Sequence, residues 1–160
     1  MSIKVSERLP EVSLFRMGDA GPEAIASGKI FARRRVLLFA VPGAFTPICS
    51  AAHLPGFVAA ARALREKGID EIACLAVNDV YVMDAWGKTH QAPGAVAMLA
   101  DGSGDFSRAV GLAVDLSKRG FGERSQRYAL ISDNGVVTHL NVEAPGKFEI
   151  SDAATMLGLL

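Results

Sequence analysis

Val36-Leu37-Leu38-Phe39-Ala40-Val41 runs directly into Pro42-Gly43-Ala44-Phe45-Thr46-Pro47-Ile48-Cys49. Six apolar residues without alternation suit a strand buried on both faces of a sheet. Pro42-Gly43 ends that strand in a turn. Thr46 suits a helix N-cap, and Pro47 suits the first helical position, where its missing N–H costs nothing. Leu54, Phe57, Val58, Ala61 and Leu64 then recur at helical spacing, which predicts a helix over 47–67 closed by Gly68. Working outward, two more six-residue apolar runs, 72–77 and 95–100, read as buried strands of the same kind. Between them lies a predicted helix over 80–91, opened by Asn78-Asp79 as its cap. Asp105 is expected to cap a short helix through 112. Strand–helix–strand alternation of this sort predicts an α/β layer fold with at least partly parallel strands.

The last third changes character. Segments 128–132 and 136–142 flank Asp133-Asn134-Gly135, and Asn-Gly between apolar runs is a strong hairpin signal. Ser151-Asp152 opens a final helix over 153–160, apolar enough to pack on the sheet. Segments 18–22 and 88–94 read as surface loops. There is no internal repeat, low-complexity tract or linker, so the expectation is one domain over 1–160 that finishes in a β-hairpin and a helix.

Composition narrows the function classes. The chain has 160 residues, half of them apolar, with 17 Lys+Arg against 17 Asp+Glu and a formal net charge of zero. An apolar fraction this high excludes disorder, and a chain this long buries a sizeable core unaided. Zero net charge provides no global field for nucleic acid or an anionic membrane surface, so neither is expected as a partner. No apolar run approaches the ~18 residues of a membrane helix, and 1–11 lacks the apolar core of a signal peptide. Cys49 and Cys74 are too few for a disulfide scaffold. A cytoplasmic protein with free thiols is the expectation, its function carried by a local site.

Cys49 is the residue most suited to chemistry. In the first turn of a helix it lies beside free backbone N–H groups and the positive end of the dipole, and both favour an anion. The thiolate is the nucleophilic form of cysteine. The alternative is a buried cysteine serving as a small hydrophobe. Cys74, 25 residues later in a predicted buried strand, fits that second description better.

The segment 41–50, continuing through His53-Leu54-Pro55-Gly56-Phe57, resembles the active-site segment of the peroxiredoxins, and more narrowly their type II group, which includes peroxiredoxin 5. Pro42, Thr46 and Cys49 meet its Pro-x-x-x-Thr-x-x-Cys spacing. Similar blocks follow in order at Ala73–Asp79, Trp86-Gly87-Lys88, Leu99-Ala100-Asp101, Arg124–Tyr128 and Asn141-Val142-Glu143. The resemblance implies a thioredoxin-like fold, with a central mixed sheet flanked by helices, and reduction of hydrogen peroxide and alkyl hydroperoxides. It implies that Cys49 is the peroxidatic cysteine, oxidised to a sulfenic acid. Thr46 would orient the peroxide, Pro42 would shield the site from water, and Arg127 would stabilise the thiolate and polarise the peroxide. A guanidinium suits that role because it stays charged and offers several donors in a plane.

Other assignments rest on the same resemblance. His53 and Arg124 are expected to support the site from outside it. Cys74 matches a second cysteine of many type II members, which is proposed in some as a resolving cysteine; either that or a structural thiol fits. No cysteine lies in 143–160, so the C-terminal resolving cysteine of some relatives is absent. That implies reduction of the sulfenic acid by an external thiol, glutaredoxin with glutathione or thioredoxin. A homodimer is also implied. Ile48 stands where relatives often have a small residue, and with Phe45 and Phe121 it suggests an apolar mouth to the pocket.

Competing readings are a cysteine hydrolase with Cys49 activated by a histidine and a redox-sensing module on the same fold. The first lacks a Gly-x-Cys-x-Gly elbow. Gly102-Ser103-Gly104 lacks the ending of a phosphate loop, and His90 and His139 have no ligand-spaced partners for zinc, so no metal or cofactor is expected. Trp86 and Met83, at helical spacing, are expected in the core or at an interface.

Overall fold

The computed structural model describes residues 1–160. Its elements in chain order are β1 (Ser13–Gly18), β2 (Gly21–Ala26), α1 (Ser27–Phe31), β3 (Arg35–Ala40), a π-helical turn (Cys49–His53) running into α2 (Leu54–Glu66), β4 (Glu71–Ala76), α3 (Val80–Thr89), β5 (Ala97–Ala100), α4 (Asp105–Ala109), β6 (Ala113–Asp115), β7 (Glu123–Ser125), β8 (Tyr128–Asp133), β9 (Val136–Val142) and α5 (Ala153–Gly158). Seven strands form one sheet in the order β2-β1-β5-β4-β3-β8-β9. β3, β4 and β5 run parallel, while β1, β2, β8 and β9 pair antiparallel at the two flanks. This is the mixed α/β sheet that the three apolar runs predict.

Those runs are continuous because both faces of the sheet are covered. In β3, Leu37 and Phe39 join a core with Leu54, Phe57 and Leu64 of α2, Met83 and Trp86 of α3, and Met156 of α5. Val36, Leu38 and Ala40 point the other way, into a second core with Ile30 and Phe31 of α1 and Phe106 of α4. Every residue from Val36 to Val41 is fully buried. Cys49 and Cys74 both belong to the first core, so the helix carrying Cys49 lies on the same side of the sheet as α2 and α3.

Asn134 (φ 48°) and Gly135 (φ 80°) make the left-handed pair that a type I′ hairpin turn requires. Asp79 caps α3 by accepting from the Val82 N–H at 2.9 Å, and Asp152 caps α5 through the Thr155 N–H at 3.1 Å, as their positions predict. The α4 cap differs from expectation. Asp105 is the first residue of that helix, and the buried Asp101 accepts from the N–H groups of Phe106 and Ser107 at 3.0 and 2.9 Å. Gly104, left-handed at φ 76°, lets the chain turn from Asp101 into the helix. The β1–β2 hairpin forms where the sequence suggests only a loop at 18–22, because Leu14 alone among β1 residues is buried and the apolar signal is faint. The small β6–β7 pair is missed for the same reason.

Candidate active site

The chain leaves β3 at Val41, turns through Pro42-Gly43, and re-enters helix at Pro47. The turn is held from two sides. The Ala44 N–H donates to Asn78 Oδ1 at 2.9 Å, which ties it to the start of α3. The Thr46 hydroxyl donates to the Gly43 carbonyl at 2.7 Å. Thr46 therefore sits at the cap position, with its own carbonyl accepting the first helical bond from the Ser50 N–H at 2.9 Å, but its side chain faces back into the turn rather than capping the helix. A Cβ at Gly43 would stand 3.2 Å from both Thr46 Cγ2 and Arg124 Nη1, so glycine permits this close approach. Phe45 takes the left-handed conformation at φ 62° and is 53% exposed.

The first helical turn widens. The Leu54 N–H reaches the carbonyl of Cys49, five residues back, so that 49–53 forms a π turn before α2 begins. Pro55 explains the need: it has no N–H for the carbonyl four residues earlier, and its ring crowds that carbonyl. The helix expected over 47–67 is thus interrupted at its start by this π turn. Cys49 and His53 both end up fully buried, facing the core.

Arg127, just before β8, reaches this turn. Its Nη2 donates to Cys49 Sγ at 3.1 Å, and its Nη1 lies 2.8 Å from His53 Nδ1. His53 Nε2 lies 2.9 Å from the Ser151 carbonyl. A carbonyl only accepts, so Nε2 carries the proton, Nδ1 is the bare acceptor for Arg127, and the ring is neutral. Burial and the Arg127 charge lower its pKa to about 3, against the opposing pull of the Ser151 carbonyl, Glu143 and Asp152. Rings close the arrangement. Phe39 stacks on Phe57 at 4.2 Å, His53 lies 4.9 Å from Phe39 and 4.8 Å from Phe148, and the Arg127 guanidinium sits 5.7 Å from the Phe148 ring centre. On the other side of the turn, Trp86 donates from Nε1 to Ser50 Oγ at 2.9 Å.

The chain matches a model of the Redoxin family over residues 4–157. It is 46% identical over 160 residues to peroxiredoxin-2D of Arabidopsis thaliana, covering 99% of this chain and 98% of the relative. It superposes on reduced Prx3 of Vibrio vulnificus, crystallised in complex with hydrogen peroxide, with a TM-score of 0.95, 49% identity and 98% coverage of both chains. The chain belongs to the peroxiredoxins. A further solved relative, peroxiredoxin 5 of Alvinella pompejana, matches at TM-score 0.86 and 34% identity over 97% of this chain and 96% of that one. This peroxiredoxin is accordingly a thiol-dependent peroxidase, an oxidoreductase on a thioredoxin-like fold.

Of the residues singled out from the sequence, the structure gathers Cys49, Arg127 and His53 into one hydrogen-bonded group, and Pro42 and Thr46 into the turn preceding it. Arg124 stands apart from the sulfur. Its Nε donates to the Phe121 carbonyl at 2.9 Å and its guanidinium packs on the Phe121 ring and against Gly43. Cys74 lies in the middle of β4, paired with Phe39 and Met98, fully buried and unbonded. Burial, and then the neighbouring Cys49, push its thiol well above the ordinary range. Three participants have no counterpart in the sequence analysis: Ser151, Phe148 and the Glu143 carboxylate, which accepts from the Ser151 N–H and hydroxyl. Ser151 acts through its backbone carbonyl, which no residue type announces. Glu143 fell within a block of family resemblance but carried no assigned role. The chain contains no grouping of three or more metal-ligating side chains, and no helix is long and apolar enough to cross a membrane.

Proposed function

We propose that Cys49 is the peroxidatic nucleophile of this peroxiredoxin, with Arg127, Thr46 and Pro42 forming the pocket around it in a single domain over 1–160. The observation that carries the reading is the Arg127 guanidinium, with one nitrogen on Cys49 Sγ and another on a neutral His53. The Cys49 thiolate attacks one peroxide oxygen, forming an S–O bond as the O–O bond breaks. Sulfur loses two electrons and becomes a sulfenic acid; the other oxygen leaves as hydroxide or alkoxide and takes a proton to become water or an alcohol. Negative charge spreads from sulfur onto both oxygens in that transition state, so fixed donors matter most there. Arg127 supplies one, and the open N–H groups at the helix start supply others. The Thr46 proton is committed to Gly43, which leaves its oxygen free to accept the peroxide O–H. Pro42 adds no N–H donor and limits water. Crystallisation of the similar Vibrio protein with hydrogen peroxide supports that substrate, and the exposed Phe45, Ile48 and Phe121 support tolerance of alkyl hydroperoxides.

A cysteine hydrolase fits poorly, because both nitrogens of His53 are occupied by Arg127 and Ser151 and neither serves as base to Cys49. Cys74 acts as a structural thiol: burial keeps it protonated and hence a weak nucleophile. The sulfenic acid is then reduced by an external thiol, glutaredoxin with glutathione or thioredoxin, which supplies the two electrons. Two free cysteines suit the reducing cytoplasm. The exposed Phe45, Ile48 and Phe121 favour a homodimer that covers them. Coupled turnover assays with each reductant test the cycle: Cys49→Ser abolishes peroxide consumption, and a Cys49→Ser variant that still turns over refutes the assignment. Sedimentation tests the dimer.

A further inference from the structure

Glu143 is a carboxylate buried to 6% exposure, and it is the backbone partner of Arg127. Its backbone N–H donates to the Arg127 carbonyl at 3.0 Å, so the two residues face each other where the β8–β9 ladder ends. Its side chain gathers the end of the following loop. Oε2 accepts from the N–H groups of Glu149, Ile150 and Ser151 at 2.9, 2.8 and 2.7 Å and from the Ser151 hydroxyl at 2.7 Å, while Oε1 accepts from the Glu149 N–H at 3.0 Å. Burial opposes the charge, but the Ser151 hydroxyl and the three N–H donors outweigh it and hold the carboxyl below its ordinary range. The loop folded in this way delivers two groups to the site. The Ser151 carbonyl accepts a hydrogen bond from His53 Nε2–H. The Phe148 ring lies against both His53 and Arg127.

We propose that Glu143 is a positioning residue for the peroxide step: its carboxylate folds the 144–151 loop so that Ser151 and Phe148 fix His53 and Arg127 with a guanidinium nitrogen on Cys49 Sγ. The inference rests on Cys49 and Arg127 being the peroxide-reducing pair. A neutral glutamine of equal size is a poor substitute: with its amide oxygen in the place of Oε2 it accepts those bonds without the charge that strengthens them, and its N–H₂ meets the Glu149 N–H instead of accepting from it. Once the loop loosens, the Ser151 carbonyl no longer dictates which His53 nitrogen is bare, and Arg127 loses its anchor. Charge alone predicts the opposite sign. Removing a nearby anion favours a thiolate, so slower oxidation of Glu143→Gln marks displaced groups rather than altered charge.

The test is single-turnover oxidation by hydrogen peroxide at neutral pH for Glu143→Gln and Ser151→Ala, beside the parent and Cys49→Ser. It is combined with ¹⁵N NMR of the His53 ring and reduction of the oxidised enzyme by dithiothreitol. We expect Glu143→Gln to be oxidised roughly tenfold more slowly, about 1.4 kcal/mol of barrier, with its His53 nitrogens shifted from the single-tautomer pattern and its reduction by dithiothreitol unchanged. Ser151→Ala, which keeps the carbonyl and loses one donor, changes in the same direction by roughly two- to threefold. A folded Glu143→Gln that is oxidised at the parental rate, or is slowed with an unaltered His53 pattern, overturns the proposal. Where Glu143→Gln does not fold, a parental rate for Ser151→Ala overturns it. Oxidation of Cys49→Ser at the parental rate would instead refute the underlying assignment of Cys49.

Discussion

Replacing Arg127 with glutamine removes a positive charge 3.1 Å from Cys49 Sγ and leaves a single neutral amide to serve both the sulfur and His53. Two unit charges at that distance attract by about 5 kcal/mol at an effective dielectric near 20. Most of this stabilises the resting thiolate as well as the transition state, and uniform stabilisation does not speed the step. The differential part is closer to one charge-assisted hydrogen bond, about 1.5–3 kcal/mol, which corresponds to a roughly 10- to 150-fold slower oxidation. The single tryptophan makes the assay direct. Trp86 donates to Ser50, the neighbour of Cys49, so stopped-flow fluorescence follows oxidation at that site under stoichiometric peroxide. Arg127→Lys keeps the charge but lacks the fork to hold sulfur and imidazole together, and it should fall between Arg127→Gln and the parent. A parental rate for a folded Arg127→Gln would remove the guanidinium from the chemistry.

Cys74→Ala should retain the first-turnover oxidation rate while losing about 1 kcal/mol of stability in urea melts, as expected for trimming a buried core side chain; loss of the first turnover would make Cys74 part of the peroxide step. The depressed pKa of His53, about 3 against an ordinary 6.5, gives stability a defined pH dependence. The unfolded chain binds the proton first, so stability is full above about 6.5 and falls as the pH drops toward 3, at up to about 1.4 kcal/mol per pH unit. Denaturation at pH 5–6.5 isolates this effect, because the stabilisation from Glu143, also depressed, is in place above its ordinary 4.5 and is lost only as the pH falls below it, and His53→Gln should flatten the slope there. Both thiols are fully buried, so a bulky aromatic disulfide reagent should label the native protein far more slowly than the urea-unfolded one, whereas hydrogen peroxide, being small, should still oxidise the native protein.

The parts of this molecule that its sequence reveals are those where one residue type has one physical use. Three unbroken apolar runs announce strands covered on both faces, and Asn134-Gly135 announces a left-handed turn. Pro47 before Cys49 announces a helix start beside a thiol. The hidden parts depend on neighbours distant in the chain. β1 buries only Leu14, so its apolar pattern is too weak to mark a strand. Asp101 displaces Asp105 as a cap because Gly104 turns the chain back over it. The role of Thr46 is legible as a position but not as an orientation, since its hydroxyl can cap the helix or bond the Gly43 carbonyl, and only the folded turn shows the second. Arg127 could be placed by family resemblance alone. Its partner His53 was visible four residues after Cys49, yet the tautomer that makes His53 an acceptor is set by a backbone carbonyl 98 residues further on.

Peroxide oxygen should be transferred to Cys49 and to no other residue. Oxidation with one equivalent of hydrogen peroxide in the absence of thiols, trapping with a sulfenic acid-selective dione, and peptide mass spectrometry test it directly. We expect the adduct on the peptide carrying Cys49, with Cys74 recovered as a free thiol. A Cys49–Cys74 disulfide would contradict the structural role given to Cys74 and the need for an external thiol. An unmodified Cys49 after peroxide has been consumed would contradict the mechanism itself.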